Sequence, residues 1–131
     1  MASILIIEDE DLLREVLVQA LTLAGHVVYQ ASDGRQGCDL FLAASPDLVL
    51  TDIIMPGQEG IETIVKLRHQ RPNVAIIAMS GGATHSKFYL NIAAKLGAHR
   101  VLAKPFSPTD LTQLIDEVLA GKKPAAPPPP S

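Results

Sequence analysis

The sequence predicts one α/β domain built on a five-stranded parallel sheet, strand order 2-1-3-4-5, with helices on both faces. Three observations predict it. Short apolar runs alternate with amphipathic segments five times along the chain, and that alternation implies right-handed crossovers between parallel strands. The stretch Leu48-Val49-Leu50-Thr51 is not split into apolar and polar positions, which suits a strand covered on both sides. The runs also end directly in reactive groups: Glu8-Asp9, Asp52, Ser80 and Lys104. Ligands bind at the carboxyl edge of such sheets.

The elements follow in order. Ser3 to Ile7 reads as the first strand, and Glu8-Asp9-Glu10-Asp11 follows without a spacer. Acids there favour the positive end of a helix dipole. Leu13, Val16, Leu17, Ala20, Leu21 and Ala24 would form the inner face of the first helix, with Gly25 as the residue after its C-cap. Val27 to Gln30 is a second strand. Asp33-Gly34 turns into a second helix with Gly37, Cys38 and Phe41 inward, and Pro46 ends that segment. Gly37 inside a helix costs about 1 kcal/mol relative to Ala, so it predicts close contact between helix and sheet.

The third strand runs into Asp52, and Pro56-Gly57 breaks it. Gln58 to Gln70 forms a third helix carrying Ile61, Ile64, Val65 and Leu67. Val74 to Met79 is the fourth strand, ending at Ser80-Gly81-Gly82. A fourth helix is expected around Tyr89, Ile92, Ala93 and Leu96. Arg100 to Ala103 is the fifth strand, and Lys104-Pro105-Phe106 follows it. Ser107-Pro108-Thr109-Asp110 places an N-cap, a proline at N1 and an acid at N3. The last helix then turns Leu111, Leu114, Ile115, Val118 and Leu119 inward and stops at Gly121. Residues 1–121 form the domain. Residues 122–131, with five prolines, read as an extended, disordered linker or tail.

Composition narrows the function. A chain of 131 residues that is 47% hydrophobic fits one core. A net charge of −3 gives no overall attraction to nucleic acid or anionic membrane, and the absence of Trp weakens any base-stacking role. The single cysteine, Cys38, rules out an intrachain disulfide and a multi-cysteine zinc site. His26, His69, His85 and His99 lack ligand spacing and are expected at the surface. No apolar stretch reaches the roughly 18 residues of a membrane span, and the N-terminus is unlike a signal peptide. A cytoplasmic protein is expected.

With that strand order, Glu8, Asp9 and Asp52 fall on adjacent strands at the point where the order reverses. Singly, each has a plainer reading, since acids at helix starts are ordinarily solvated caps and Ser before two glycines is ordinarily a turn. Together they place three carboxylates in a small area. These repel unless a cation joins them. Mg²⁺ suits oxygen ligands, and Lys104 suits a phosphate oxygen. Ser80 can donate to a phosphoryl group, and Gly81 permits close backbone approach. These are the parts needed for phosphoryl transfer onto Asp52.

Glu8-Asp9, Asp52-Ile53-Ile54-Met55-Pro56-Gly57, Ser80-Gly81 and Lys104-Pro105-Phe106, in this order, resemble the receiver domain of two-component response regulators, a chemotaxis-receiver-like, flavodoxin-like fold. The resemblance covers roughly residues 3 to 120. It implies that Asp52 is the phosphoacceptor and takes its phosphoryl group from a histidine kinase or a histidine phosphotransfer protein. It implies Mg²⁺ held by Glu8, Asp9, Asp52 and the backbone carbonyl of Ile54. Lys104, Ser80 and Gly81 would bind the phosphoryl group and report it, and the Lys104–Pro105 bond would be cis. The implied activity is signalling, with self-phosphorylation and slow autodephosphorylation in place of turnover.

Three positions depart from the family pattern. Val101 stands where receivers often carry the aromatic switch residue, three before the lysine. Ile54 is apolar where many relatives are polar, and is expected to slow hydrolysis of the acyl phosphate. The small, polar segment from Ser80 to Tyr89 is expected to be a mobile switch. Output is expected through the fourth helix, fifth strand and fifth helix, toward a downstream protein or an output domain outside this sequence. Direct nucleic-acid or membrane binding is not expected. Two other classes fit less well. A small Mg²⁺-dependent phosphohydrolase would want a second acid where Ile54 stands, and a flavodoxin-like binding module would meet repulsion between the acids and phosphate.

Overall fold

The structure, a computed structural model, describes residues 2–53, 59–80, 91, 95 and 97–121, with the backbone alone at 59 and 60. Five strands form one parallel sheet in the order β2-β1-β3-β4-β5: β1 (Ser3–Ile7), β2 (Val27–Ala31), β3 (Leu48–Asp52), β4 (Ala75–Ser80) and β5 (Arg100–Ala103). Every pairing is parallel. Four helices are described in full: α1 (Asp11–Leu23), α2 (Gly34–Ala44), α3 (Glu59–Gln70) and α4 (Pro108–Leu119). Asn91 and Lys95, from the predicted fourth helix, are helical. The apolar face expected of that helix (Tyr89, Ile92, Ala93 and Leu96), Ile54, Gly81, most of the 80–89 segment and the 122–131 tail lie outside the described residues.

Side-chain alternation along the strands creates two cores. Leu5, Ile7, Val49, Ile76 and Ala78 pack with Phe41 of α2 and with Ile64 and Leu67 of α3. Ile4, Ile6, Leu48, Leu50, Ile77 and Met79 face the other way. They pack with Leu17 and Leu21 of α1 and with Leu111, Ile115 and Val118 of α4. β1, β3 and β4 are therefore apolar on both faces, which is why their sequences do not alternate.

Local signals fix the helix ends. At the end of α1, Gly25 has φ +94°, Gly25 N–H donates to Thr22 O and His26 N–H to Leu21 O, a paired closure that only a left-handed residue permits cheaply. Asp33 caps α2 through Gln36 N–H at 2.8 Å. Ser107 and Asp110 form a reciprocal capping box on α4. Gly37 has the role its sequence position implied: a Cβ there would lie 2.4 Å from Ile7 Cδ1 and 2.7 Å from Ile7 Cγ1.

Several expectations need correction. Val16 is not on the inner face of α1 but is 46% exposed, as is Val65 on α3, and Ala24 is the exposed C-cap of α1. Helical spacing alone admitted them because it allows a wider stripe than the sheet covers. On α3 the inward set includes the buried Thr63 instead. β4 begins at Ala75 and includes Ser80, because Val74 N–H turns back to Arg71 O at 3.2 Å. Two histidines are not free surface groups. His26 Nδ1 accepts from Ala2 N–H at 3.3 Å, and His99 Nδ1 lies 3.1 Å from Arg68 Nη2. Arg68 also donates to the carbonyls of Pro72, Val74 and Gly97, tying the turn after α3 to the approach to β5.

Candidate functional site

The site is assembled by strand ends. Glu8 follows β1, and its N–H still donates to Ala31 O of β2 at 3.0 Å. Asp52 closes β3 in register with Met79. Ser80 closes β4 in register with Ala103, and Lys104 N–H donates to Ser80 O at 2.7 Å. Pairing thus continues just past the strands and delivers each side chain to the same edge. The Lys104–Pro105 peptide is cis.

Lys104 is the hub. Its Nζ lies 2.7 Å from Glu8 Oε1 and 3.1 Å from Asp52 Oδ2. Glu8 is fully buried, Asp52 is only 4% exposed, and Asp9 lies open to solvent. The other Glu8 oxygen accepts Glu10 N–H at 3.1 Å. Burial pulls the Lys104 ammonium toward neutrality, but the hydrogen bond it donates to Glu8 and the negative charges of Asp52 and Glu8 outweigh it, and its pKa is raised. The pKa of Asp9 is also raised, by partial desolvation first, then by its hydrogen bond and charge repulsion with Glu8. The Lys104 shift reports the negative charge gathered around its ammonium, and the Asp9 shift reports burial first and the neighbouring Glu8 second.

Oxygen atoms of Glu8, Asp9 and Asp52 all lie within 4.8 Å of one another. Opposite ligands of a Mg²⁺ octahedron stand about 4 Å apart. The set is slightly wider than a closed shell, which suits an ion that keeps some waters. The donors are hard oxygens, and one ammonium paired with two of the three carboxylates leaves room for a divalent charge. The residues fit the metal. A second observation fits a phosphoryl group: Ser80 Oγ is fully buried and has no hydrogen-bond partner among the described residues. Leaving a buried hydroxyl unsatisfied costs about 1–3 kcal/mol, so such groups call for an explanation.

The structure thus brings together Glu8, Asp9, Asp52, Ser80 and Lys104. Ile54 and Gly81 lie outside the described residues. Val101, on the edge strand β5, is 39% exposed. One contact was not anticipated. Arg14 Nη1 donates to the Glu8 carbonyl at 2.8 Å. The only hint in the sequence was its i,i+3 spacing from Asp11, with which it pairs at 2.6 Å.

Fold and centre together define a flavodoxin-like domain with an acidic, lysine-bridged cluster where its strand order reverses. The chain belongs to the response regulator receiver domain family, which it matches over residues 4–116. It is 37% identical over 123 residues to the nitrate/nitrite response regulator protein NarL of Escherichia coli, covering 92% of this chain and 56% of that one. It is 32% identical to the DNA-binding transcriptional regulator NtrC of Azospirillum brasilense, covering 95% and 26%. Among solved structures, a response regulator receiver domain protein from Clostridium thermocellum superposes with a TM-score of 0.85 at 29% identity, covering 93% of this chain and 97% of that one. The chemotaxis response regulator CheY4 of Vibrio cholerae gives 0.80 at 28%, covering 90% and 98%. The chain spans about half or less of the length of these two curated relatives.

Receiver domains of two-component systems interact with histidine kinases or phosphotransfer proteins, and as a class they are not true enzymes. No described helix is long and apolar enough to cross a membrane.

Proposed function

We propose that Asp52 accepts a phosphoryl group from a phosphohistidine and that the domain, residues 1–121, passes this on as a conformational signal. An Asp52 carboxylate oxygen attacks phosphorus, the P–O bond forms, and the P–N bond breaks. The electron pair returns to the imidazole nitrogen, which takes its proton from solvent. The observation that carries this reading is the convergence of Lys104 on Asp52 and Glu8, with the buried Ser80 hydroxyl, unpartnered among the described residues, at the end of the next strand.

Each residue has a definable task. Asp52 is the nucleophile. Lys104 neutralises a phosphoryl oxygen, moving little because it already faces Asp52. Ser80 donates its hydroxyl to another oxygen, with Gly81 beside it. Glu8 and Asp9, with Asp52 and the Ile54 carbonyl, would hold Mg²⁺, which when bound shields the carboxylates and the incoming phosphoryl charge. Ile54 keeps water from the acyl phosphate, so Ile54→Asn should speed its loss.

Phosphorylation adds about −1.5 to −2 charge. Ser80 and Lys104 feel it first, and both belong to the β4–β5 side of the sheet. A shift between two packings there, with the fourth predicted helix and the C-terminal helix, would carry the output. It would do so without the aromatic that Val101 replaces. The recipient would be a downstream protein or an output domain beyond this sequence, with residues 122–131 as linker, and the setting cytoplasmic.

The test is incubation with Mg²⁺ and acetyl phosphate followed by intact mass. One added phosphoryl group is expected, and none in Asp52→Asn. Addition to Asp52→Asn, or continuous turnover of the donor without a stoichiometric adduct, would overturn the reading.

A further inference from the structure

We infer that Arg14 is a positioning residue for the acid pair: its guanidinium clamps the Glu8–Asp9 peptide and so aims Asp9 at the metal site. This rests on the proposed Mg²⁺ site.

The first turn of α1 is unusual in having no side-chain cap, since Glu10 occupies the N-cap position without a side-chain hydrogen bond. The chain between β1 and α1 needs another restraint, and Arg14 supplies it. Its Nη1 donates to Glu8 O at 2.8 Å, its Nη2 to Asp11 Oδ1 at 2.6 Å, and its Nε to Gln30 Oε1 at 3.3 Å. One planar fork thus ties the end of β1, the start of α1 and the neighbouring strand β2. The Arg14 side chain is only 16% exposed and its bond to the Glu8 carbonyl is partly buried, whereas its bonds to Asp11 and Gln30 are open to solvent.

The consequence falls on Asp9. Glu8 is held on both sides, its N–H by Ala31 O and its carbonyl by Arg14. A peptide unit is planar. Fixing the Glu8 carbonyl therefore fixes the direction of the Asp9 N–H and limits Asp9 to rotation about its own φ, ψ and χ1. Asp9 is exposed and otherwise the least restrained of the three acids. Without the clamp, it would be free to turn toward solvent, away from Glu8 and Asp52. Residues that orient metal ligands from behind typically change affinity 10–100-fold when lost.

Electrostatics makes the opposite prediction, which is what gives the test its force. Arg14 is a cation close to a cation site. If it acted only through charge, its removal would tighten Mg²⁺ binding. If it served only to stabilise the fold, binding measured on folded protein would not change.

Mg²⁺ titration calorimetry on the full chain, below the melting range, separates these. Arg14→Gln should weaken Mg²⁺ binding about tenfold. Arg14→Lys, which keeps the charge and loses the fork, should weaken it similarly and guards against misfolding of the first variant. Equal or tighter binding in the folded variants overturns the inference while the proposed site stands. If the parent protein fails to bind Mg²⁺, the proposed site itself falls, and the inference with it.

Discussion

Lys104 Nζ and Glu8 Oε1 stand 2.7 Å apart although 96 residues separate them in the chain. The pair joins the two ends of the fold at its chemical centre. A divalent metal held by Glu8 and Asp52 would compete with Lys104 for the same carboxylates.

Lys104→Met should therefore have two effects of opposite sign. Without metal, it leaves the buried Glu8 and Asp52 carboxylates short of their shared cation, at a cost of about 3 kcal/mol. With millimolar Mg²⁺, the variant should gain more stability than the parent does, because nothing else competes for the oxygens. Urea midpoints with and without Mg²⁺ measure both. A smaller Mg²⁺ gain in the variant would show that lysine and metal do not share the site.

Gly37→Ala tests the tightest point of the fold. Alanine favours a helix by about 1 kcal/mol over glycine. Against this, the new methyl would overlap Ile7, whose side chain is fully buried. Overpacking of this kind costs about 1–3 kcal/mol. Net destabilisation of about 1 kcal/mol is expected, with partial recovery in the Gly37→Ala/Ile7→Val double variant. Unchanged stability in the single variant would mean that β1 and α2 can separate more easily than their contact suggests.

His99 should make the domain sensitive to acid. Desolvation first, then the charges of Arg68 and Arg100, lower its pKa below the ordinary 6.5. As pH falls through 6.5 the unfolded chain takes up the proton before the folded one does. Stability is then lost with falling pH until the folded His99 also titrates. Chemical denaturation at pH 7.5 and pH 5.5 should show this loss, reduced in His99→Gln. An equal loss in both proteins would assign the effect elsewhere.

Ser107→Ala should lower stability by about 1 kcal/mol. It removes the acceptor of Asp110 N–H at 3.0 Å and leaves the other half of the capping box, Ser107 N–H to Asp110 Oδ2 at 3.4 Å. Thermal melts measure it, and Ser107→Asp should restore most of the difference.

The fold was largely legible because its signals are local and agree. Buried parallel strands announce themselves as unbroken apolar runs, and Gly25, Asp33 and Ser107 mark helix ends by chemistry that few other residues can perform. The clustering of the candidate side chains was legible because they sit next to those runs, so strand order alone brings them together. What escaped was set by distant neighbours. Val16 and Val65 satisfy helical spacing, yet the sheet does not extend beneath them. His26 and His99 gain partners only through tertiary contact. Arg14 reads as a solvated helix charge until β2 brings Gln30 alongside it.

Ser80 is pinned by its main chain. It is the last residue of β4, in register with Ala103 of β5, and its carbonyl accepts from Lys104 N–H. Moving its backbone would break the pairing with β5. Any message entering at this residue must be written in one torsion, χ1. The hydroxyl is a rotor on a fixed axle, with a small set of discrete stops instead of a graded response.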